Sequence, residues 1–600
     1  MKKSMRLTGL VAAGVAIALL APANGAIGAT KKKVVTKKKV VTKKKAAVTT
    51  KATAATTAAS TATTAAVTTA AVTTAATTAP KGKSGGKMSL GIEAESTNYL
   101  PSTAWSVPGL VVASSVYDRI ADYNTKGEVE CVMCESITTA DSGKTWIVKL
   151  KGGIKFHNGE AFNADAVITD INYKRNPASF SNGIFTAFIL PPTIATIDKV
   201  DDLTVRFNMG GGNWANFPLA LTGQAGMTAA PACYKDSAPN FASEKACANK
   251  PIGTGPFIFK EWVPDDHFTA TKNPTYWRTG YPFLDEITFK PIPDEVVRIN
   301  ALKSGDIDAI DTFNGAKIAE LRDLAKAGKI NYSDSDDFAE TTFVALNVDK
   351  PPLDDKRVRC ALAMLTDQED LIKVKYRGAL KPANGLFGPG NLGYDAGDLG
   401  YPKPDVEKAK ALIADYLKDK GLTALPQIQI GTTAVPDNVD VTSYIAQQWK
   451  SKAGINTSPV VATEQSKYIT DILLAGNFMA TGLRFGAGPD PESVNVFYNS
   501  ATYQPNGTPT LNIQRTRNPI IDEAFKQLRT TSDPVLKKRF AKALAQEFNE
   551  NCYNVFLYQT TWGVGAQKNI TGFEDYTLPS GNKRAHMVAG YVWPGNFQKS

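Results

Sequence analysis

The first 87 residues contain no aspartate or glutamate, and this feature places the folded part of the chain after them. Within this segment, residues 31–42 repeat KKKVVT, and threonine and alanine then dominate as far as Pro80. Such a segment has few apolar side chains to bury, so ordering it would lose chain entropy without compensation. We therefore expect a disordered Lys/Thr/Ala-rich linker over 30–87 and a folded body over 88–600.

The charge of the chain divides at the same place. Sixteen of the 68 lysines and arginines lie in residues 1–87, and the remaining 52 stand against 57 acidic residues. A nucleic-acid-binding protein should carry its positive charge on the folded body, so this distribution argues against nucleic acid as a partner. The linker could hold to an anionic lipid or wall polymer, at about 1 kcal/mol per charge near a surface. The alternative is a solvated stalk without a specific partner.

Residues 1–29 have the pattern of an export signal. Three basic residues within the first six positions precede the apolar run Leu7–Leu20, and small residues continue to Ala29. The run is short against the roughly 20 residues that span a bilayer. No cysteine follows it until Cys131, so a lipid cannot be attached just after the cleavage site. We expect an exported monomer, in the periplasm or on the outer face of the envelope, that is not a lipoprotein.

The cysteines are consistent with export, because an even number in an oxidising compartment favours disulfides. Cys233 and Cys247 flank a short loop and are predicted to pair. Cys131 and Cys134 favour a structural bridge over a metal or redox pair, because the chain has no second CxxC and no nearby histidine. The remaining connectivity stays open. With three histidines in 600 residues, we predict no metal site and no cofactor.

Strand and helix signals alternate from residue 88 onward. Lys144–Leu150 alternates polar and apolar residues, as a half-buried strand does. Asn163–Tyr173 begins with a capping asparagine and has one apolar face, which is typical of a helix. Glu295–Lys303 is predicted as a helix that stops at Gly305, and Asp533–Phe548 as another. This order, over a body too long for one core, predicts an α/β protein of several lobes.

Catalytic motifs are missing from the sequence. It contains no GxSxG, HExxH or GxxxxGK[ST] motif, and no GxGxxG that follows a strand. Residue chemistry therefore favours a binding protein over an enzyme. Two alternatives remain open at this point, namely a secreted hydrolase that uses cleft carboxylates and a wall-associated structural protein.

Four segments of the body resemble one known family, in the same order along the chain. Residues 144–173, KTWIVKLKGGIKFHNGEAFNADAVITDINY, and residues 251–308, which begin PIGTGPFIFKEW, resemble signature regions of the family 5 extracellular solute-binding proteins of ABC importers, the peptide- and nickel-binding group. Residues 346–404, and 517–548 with the strand 554–558, continue the resemblance over nearly all of the body.

The resemblance implies an α/β, two-lobed periplasmic-binding-protein-like fold of type II, in the large family 5 variety, with hinge strands and a ligand cleft. Lobe I would comprise 88–345, with 559–600 returning to it, and lobe II would comprise 346–558. The implied function is a receptor that captures a peptide or another small polar solute and delivers it to an ABC permease, without covalent chemistry. A ligand that contacts both lobes favours the closed form, which the permease can recognise.

The resemblance also indicates where a ligand would bind. Peptide-binding members often carry a turn in lobe II whose aspartate pairs with the α-ammonium of the peptide, and here Gly488 stands at that position. Asp490 lies two positions further on, and Arg484 adds a positive charge that the motif lacks. We therefore predict weak dependence on a free peptide N-terminus, or a ligand that is not a peptide. The candidate ligand-binding residues are Trp105, Asn384, Phe387, Arg484, Phe485 and Asp490.

Overall fold

Two large β-sheets organise the chain. The structure is a computed structural model that describes residues 82–600, except for 103–106, 177–178, 180–193, 211, 237–240, 465–466, 487, 575, 585–586 and 588–589. The predicted export signal, most of the predicted linker, and Trp105 lie outside the described residues. None of the described helices is both long and apolar enough to cross a membrane.

The strands and helices alternate along the described chain, as predicted. In chain order the strands are β1 Lys87–Ile92, β2 Ala121–Tyr123, β3 Val129–Cys131, β4 Cys134–Thr138, β5 Thr145–Leu150, β6 Ile194–Asp201, β7 Thr204–Met209, β8 Phe257–Val263, β9 His267–Lys272, β10 Glu286–Pro291, β11 Ala309–Thr312, β12 Asn331–Ser335, β13 Thr341–Leu346, β14 Lys381–Pro382, β15 Ile430–Thr433, β16 Val461–Thr463, β17 Ala480–Phe485, β18 Asn554–Gln559, β19 Trp562–Ala566, β20 Ile570–Thr571 and β21 Gln598–Lys599. The α-helices are α1 Val107–Val116, α2 Ala164–Arg175, α3 Phe217–Ala220, α4 Ala242–Asn249, α5 Glu295–Ser304, α6 Gly315–Lys326, α7 Lys356–Leu365, α8 Gln368–Tyr376, α9 Val406–Lys420, α10 Pro436–Ala453, α11 Asn495–Tyr498, α12 Pro519–Thr530 and α13 Pro534–Glu550.

Local sequence signals account for the ends of several helices. The side chain of Asn163 accepts a hydrogen bond from the amide of Ala166 and begins α2. Asp294 caps α5 in the same way, and Gly305 ends this helix with a φ of 84°, a conformation that glycine adopts without strain. The predicted helices over these segments are confirmed to within two residues.

The first sheet has seven strands in the order β12-β19-β11-β1-β10-β9-β8. Its central strand β1 runs parallel to both neighbours, so that Leu90 pairs with Phe289 on one side and with Ala309 on the other. A separate four-stranded sheet, β4-β5-β7-β6, shares one hydrophobic core with it, in which Leu90 and Val148 are fully buried. We refer to this part of the chain as lobe I.

The second sheet has six strands in the order β14-β18-β13-β17-β15-β16 and forms lobe II. Its strand β13 is buried on both faces. Val344 and Leu346 point into one core and Phe343 and Ala345 into another. Helices cover both faces, which explains why its last four residues are all apolar rather than alternating.

The chain crosses between the two sheets twice. It leaves the first sheet after β12, enters the second at Thr341, and returns through Thr560 and Thr561 to β19. The crossing segments run side by side, because the amide of Thr560 donates to the carbonyl oxygen of Glu340 at 2.9 Å. The expected lobe boundary at 345/346 therefore falls at the end of β13, whereas the first crossing lies at 336–340.

Three disulfides join the six cysteines. They link Cys131 to Cys134, Cys233 to Cys247 and Cys360 to Cys552. The second is the bridge that the sequence predicts, and the first agrees with the structural interpretation of Cys131 and Cys134. The third joins α7 to the turn that follows α13 within lobe II, a pairing that the spacing left open.

Candidate ligand-binding site

Charged side chains gather where the crossing segments pass between the sheets. Those of lobe I come from the ends of β1 and β11 and from α5. Those of lobe II come from the start of β13, the end of β17 and the first turn of α10. Strands β1 and β11 pair side by side, and ion pairs join Arg298 to Glu295 and Arg484 to Glu340. We call this set the crossing cluster, and its members are Glu93, Glu295, Arg298, Asp311, Glu340, Asp437 and Arg484.

Arg298 lies at the centre of the lobe I part of the cluster. Its side chain is fully buried, and its guanidinium donates to the carboxylate of Glu295 at 2.6 Å and to the carbonyl oxygens of Ile292 and Asp311. Helix α5 presents Glu295 and Arg298 three positions apart, on one face of its first turn. The Glu295 carboxylate also accepts a hydrogen bond from the hydroxyl of Thr312. The hydrogen bonds of Arg298 are thus taken up by groups of lobe I.

Asp311 lies inside the sheet beside Arg298. Only 1% of its surface is exposed, and neither oxygen of its carboxylate has a hydrogen-bond partner among the described residues. Burial raises the pKa of this carboxyl to about 7, against the opposing effect of Arg298 and with a further upward contribution from Glu93 and Glu295. A buried carboxylate without hydrogen bonds is unfavourable, so burial favours the protonated form of Asp311.

Glu93 follows β1 directly and lies part-buried between the two lobes. Burial raises its pKa to about 7, while Arg484 and Arg298 act in the opposite direction. Its side chain makes no hydrogen bond or ion pair with another residue in the described part of the chain. Glu93 is therefore a carboxylate without a direct partner at the junction of the lobes.

Arg484 forms one of the contacts between the lobes. Its guanidinium carbon lies 3.7 Å from the ring centre of Phe313 and 5.2 Å from that of Trp562, both in lobe I. Its Nε is 3.7 Å from a carboxylate oxygen of Glu340, which also accepts a hydrogen bond from the indole of Trp562 at 3.0 Å. This arrangement requires the two lobes to be together.

Asp437 closes the cluster on the side of lobe II. The hydroxyl of Tyr376 donates to its carboxylate at 2.9 Å, and Asn314 of lobe I hydrogen-bonds to the same side chain. Burial raises the pKa of Asp437, and these two hydrogen bonds oppose the rise. Asp437 thus has partners from both lobes, unlike Glu93 and Asp311.

Gly488, at the position of the absent aspartate, has a backbone conformation that favours glycine. Its φ is +100°, which strains any residue with a Cβ atom. Its amide donates to the carbonyl oxygen of Phe338 in the first crossing segment, and its own carbonyl accepts from the side chain of Asn391. An acidic side chain at this position is therefore both missing and disfavoured.

The other candidates from the sequence make contacts within lobe II. Phe387 is 2% exposed and packs in a hydrophobic core, and the ring of Phe485 lies 4.0 Å from that of Phe497. Asn384 donates to the carbonyl oxygens of Asp395 and Gly397. Each of these side chains therefore contributes to packing or hydrogen bonding within lobe II.

Asp490 is also engaged. It is 4% exposed, accepts a hydrogen bond from the amide of Glu492 at 2.8 Å, and lies 3.9 Å from the ammonium of Lys537. The structure thus brings Arg484 into the crossing cluster, whereas the contacts described for Asn384, Phe387, Phe485 and Asp490 lie elsewhere in lobe II. Ligand binding by these four residues stays a prediction.

The lobe I members of the crossing cluster are not among the residues predicted from the sequence. Asp311 follows two apolar residues in the strand AIDT, and an acid inside such a strand indicates a buried polar site. Glu93 and Glu295 carry no comparable signal, because each follows or begins an element where acids are common. Within the described residues, no three His, Cys, Asp or Glu side chains converge closely enough to hold a metal ion.

Comparison with known proteins agrees with this architecture. The family described as "Bacterial extracellular solute-binding proteins, family 5 Middle" matches residues 128–507. The chain is 28% identical over 364 residues to heme-binding protein A of Haemophilus influenzae, a match that covers 58% of this chain and 65% of that protein. It is 25% identical over 479 residues to the glutathione-binding protein GsiB of Pectobacterium atrosepticum, covering 78% of this chain and 87% of that protein.

A solved structure has the same fold. The periplasmic binding protein DppA of Helicobacter pylori, in complex with the peptide STSA, aligns with a TM-score of 0.73 at 21% identity, over 86% of this chain and 98% of that one. The predicted fold class is confirmed. The chain belongs to family 5 of the bacterial extracellular solute-binding proteins, and it is a binding protein rather than an enzyme.

Proposed function

We propose that this protein captures a small polar solute, a peptide or another charged molecule, between its two lobes and delivers it to an ABC permease in the membrane. The observation that carries this proposal is the crossing cluster, in which charged side chains of both lobes meet at one place. A solute bound there would contact both lobes. It would therefore bind the closed arrangement better than the open one and shift the population toward closure.

The ligand class is narrower than the family alone suggests. The names of the relatives include heme, glutathione and peptide as ligands. The crossing cluster is charged and bordered by Phe313 and Trp562, which favours a small molecule with at least one ionic group. Mass spectrometry of the molecule that co-purifies with the exported protein would identify it directly.

Location outside the cytoplasmic membrane is part of the same proposal. The export signal in residues 1–29 would deliver a receptor of this kind to that side of the membrane. The lysines of the linker would add an attachment to an anionic lipid or wall polymer, which keeps the receptor near its permease.

Binding of peptides should depend little on a free N-terminus. Gly488 stands where peptide-binding relatives carry an aspartate, and its φ of +100° argues against recovery of that contact by local adjustment. A charge-assisted hydrogen bond contributes about 1.5–3 kcal/mol, or roughly 10- to 150-fold in affinity. Without it, we expect free and N-acetylated forms of the same tetrapeptides to differ by less than about threefold in calorimetry.

The control is a set of the same peptides amidated at the C-terminus, which changes the other terminal charge. A loss above about tenfold on acetylation alone would show that another acid binds the α-ammonium.

A further inference from the structure

The crossing cluster contains more acids than bases. Five carboxylates, those of Glu93, Glu295, Asp311, Glu340 and Asp437, stand against the guanidinium groups of Arg298 and Arg484. Buried or part-buried charges of one sign are unfavourable unless a counter-charge compensates them.

The two arginines do not serve all five acids. Arg298 donates to Glu295 and otherwise to backbone carbonyls, and Arg484 lies nearest to Glu340. Asp437 accepts hydrogen bonds from Tyr376 and Asn314. What remains is Asp311, nine-tenths buried with two unpartnered oxygens, and Glu93, which has no direct partner among the described residues. The carboxyl groups without partners among the described residues are thus located at the lobe I side of the junction.

The surroundings of these two acids suit an organic cation better than a metal ion. The acids do not converge as metal ligands do, within the described residues. Two aromatic rings, Phe313 and Trp562, lie beside them with ring centres 5.2 Å apart. Aromatic faces attract planar or quaternary organic cations. The guanidinium of Arg484 already lies against these rings beside Glu340, so this surface accommodates a planar cation.

We propose that the crossing cluster is a subsite for a guanidinium group of the ligand, with Glu93 as the carboxylate that pairs with it and Asp311 as a second carboxyl group behind it. Arg484 is then the internal cation with which the ligand competes for the aromatic rings. The inference rests on the proposed function and deepens it by naming the chemical class of the ligand, a guanidino compound or an arginine-containing peptide. It is compatible with the weak dependence on the α-ammonium, because the recognised charge belongs to a side chain.

The test uses two small probes of nearly identical shape, n-butylguanidine and n-butylurea, measured by ligand-observed NMR on the full chain. We expect n-butylguanidine to bind in the millimolar range, as is usual for so small a ligand, and n-butylurea to bind about tenfold more weakly or not at all. Glu93→Gln should weaken n-butylguanidine about tenfold, and Arg484→Gln should strengthen it by removing the competing cation.

A matched control is Glu261→Gln, which removes an exposed carboxylate of lobe I outside the cluster. It should leave both probes unaffected, and unfolding curves of each variant verify that it is folded. The proposal would be overturned if the two probes bind equally well, or if the Glu93→Gln variant binds n-butylguanidine with full affinity. It would also be overturned if n-butylguanidine binds neither the parent protein nor the Arg484→Gln variant. If n-butylguanidine fails while a co-purified solute still compacts the protein, the guanidinium subsite is wrong and the receptor function stands.

Discussion

Replacing both Cys360 and Cys552 by serine should lower the free energy of unfolding by about 5 kcal/mol. This disulfide joins residues separated by 192 positions, the longest loop that any of the three bridges closes. A cross-link restricts the unfolded chain more strongly when the loop is longer, so its removal gives the unfolded state more entropy. Both cysteines are buried, Cys360 within α7 and Cys552 just after α13, and the side chain of serine is close to that of cysteine in size.

The other two disulfides provide the comparison series. They close loops of 14 and 3 positions, for which the same reasoning gives about 3 and about 2 kcal/mol. Denaturant unfolding of the three double-serine variants measures the order directly. Equal losses in all three, or the largest loss in the Cys131/Cys134 variant, would contradict the loop-length explanation.

Asp311→Asn should stabilise the protein at pH 8 by roughly 4 kcal/mol and leave its stability at pH 4 nearly unchanged. The carboxyl has a pKa of about 7 in the folded chain against an ordinary value of 3.8, because burial disfavours its charged form. The folded protein therefore retains a proton that the unfolded chain releases. Stability falls as the pH rises from about 4 through 7, and the loss is complete above 7. The amide of asparagine does not ionise, so the variant does not lose stability in this way.

Asp323→Asn is the matched control for this pH series. Asp323 is largely exposed and pairs with Arg377 on the surface, where such pairs contribute little. We expect its thermal midpoint to follow the parent protein at every pH. An Asp311→Asn variant that is equally destabilised at pH 4 and pH 8 would show that the carboxylate has a favourable structural role which its two unpartnered oxygens do not reveal.

The elements that the sequence predicts well are those with local causes. Asn163 caps α2, and Gly305 ends α5, because each acts on backbone groups within a few positions. The lobe boundary has no such signal. Strand β13 is apolar on both faces like a strand from the interior of either sheet, so the sequence does not reveal that the chain has already crossed at 336–340.

In the candidate site, too, the residue with a local sequence signal is predicted and the residues brought together by the fold are not. Arg484 could be singled out because it adds a charge next to a recognisable turn, and the structure places it in the cluster. Glu93 and Asp311 could be brought beside it only by the fold, since they lie more than 170 positions away in the other lobe. Asn384 and Phe387 are predicted to bind ligand because of the position of their loop. In the structure, Asn384 hydrogen-bonds to backbone carbonyls and Phe387 packs in a hydrophobic core.

Small-angle X-ray scattering of the protein with and without its co-purified solute tests the central claim most directly. The protein is first unfolded and refolded to remove the solute, and calorimetry establishes that the solute binds again. We expect the radius of gyration to decrease on binding, because a ligand held between the lobes favours the closed arrangement. A solute that binds in calorimetry while the scattering curve stays the same would contradict binding between the lobes.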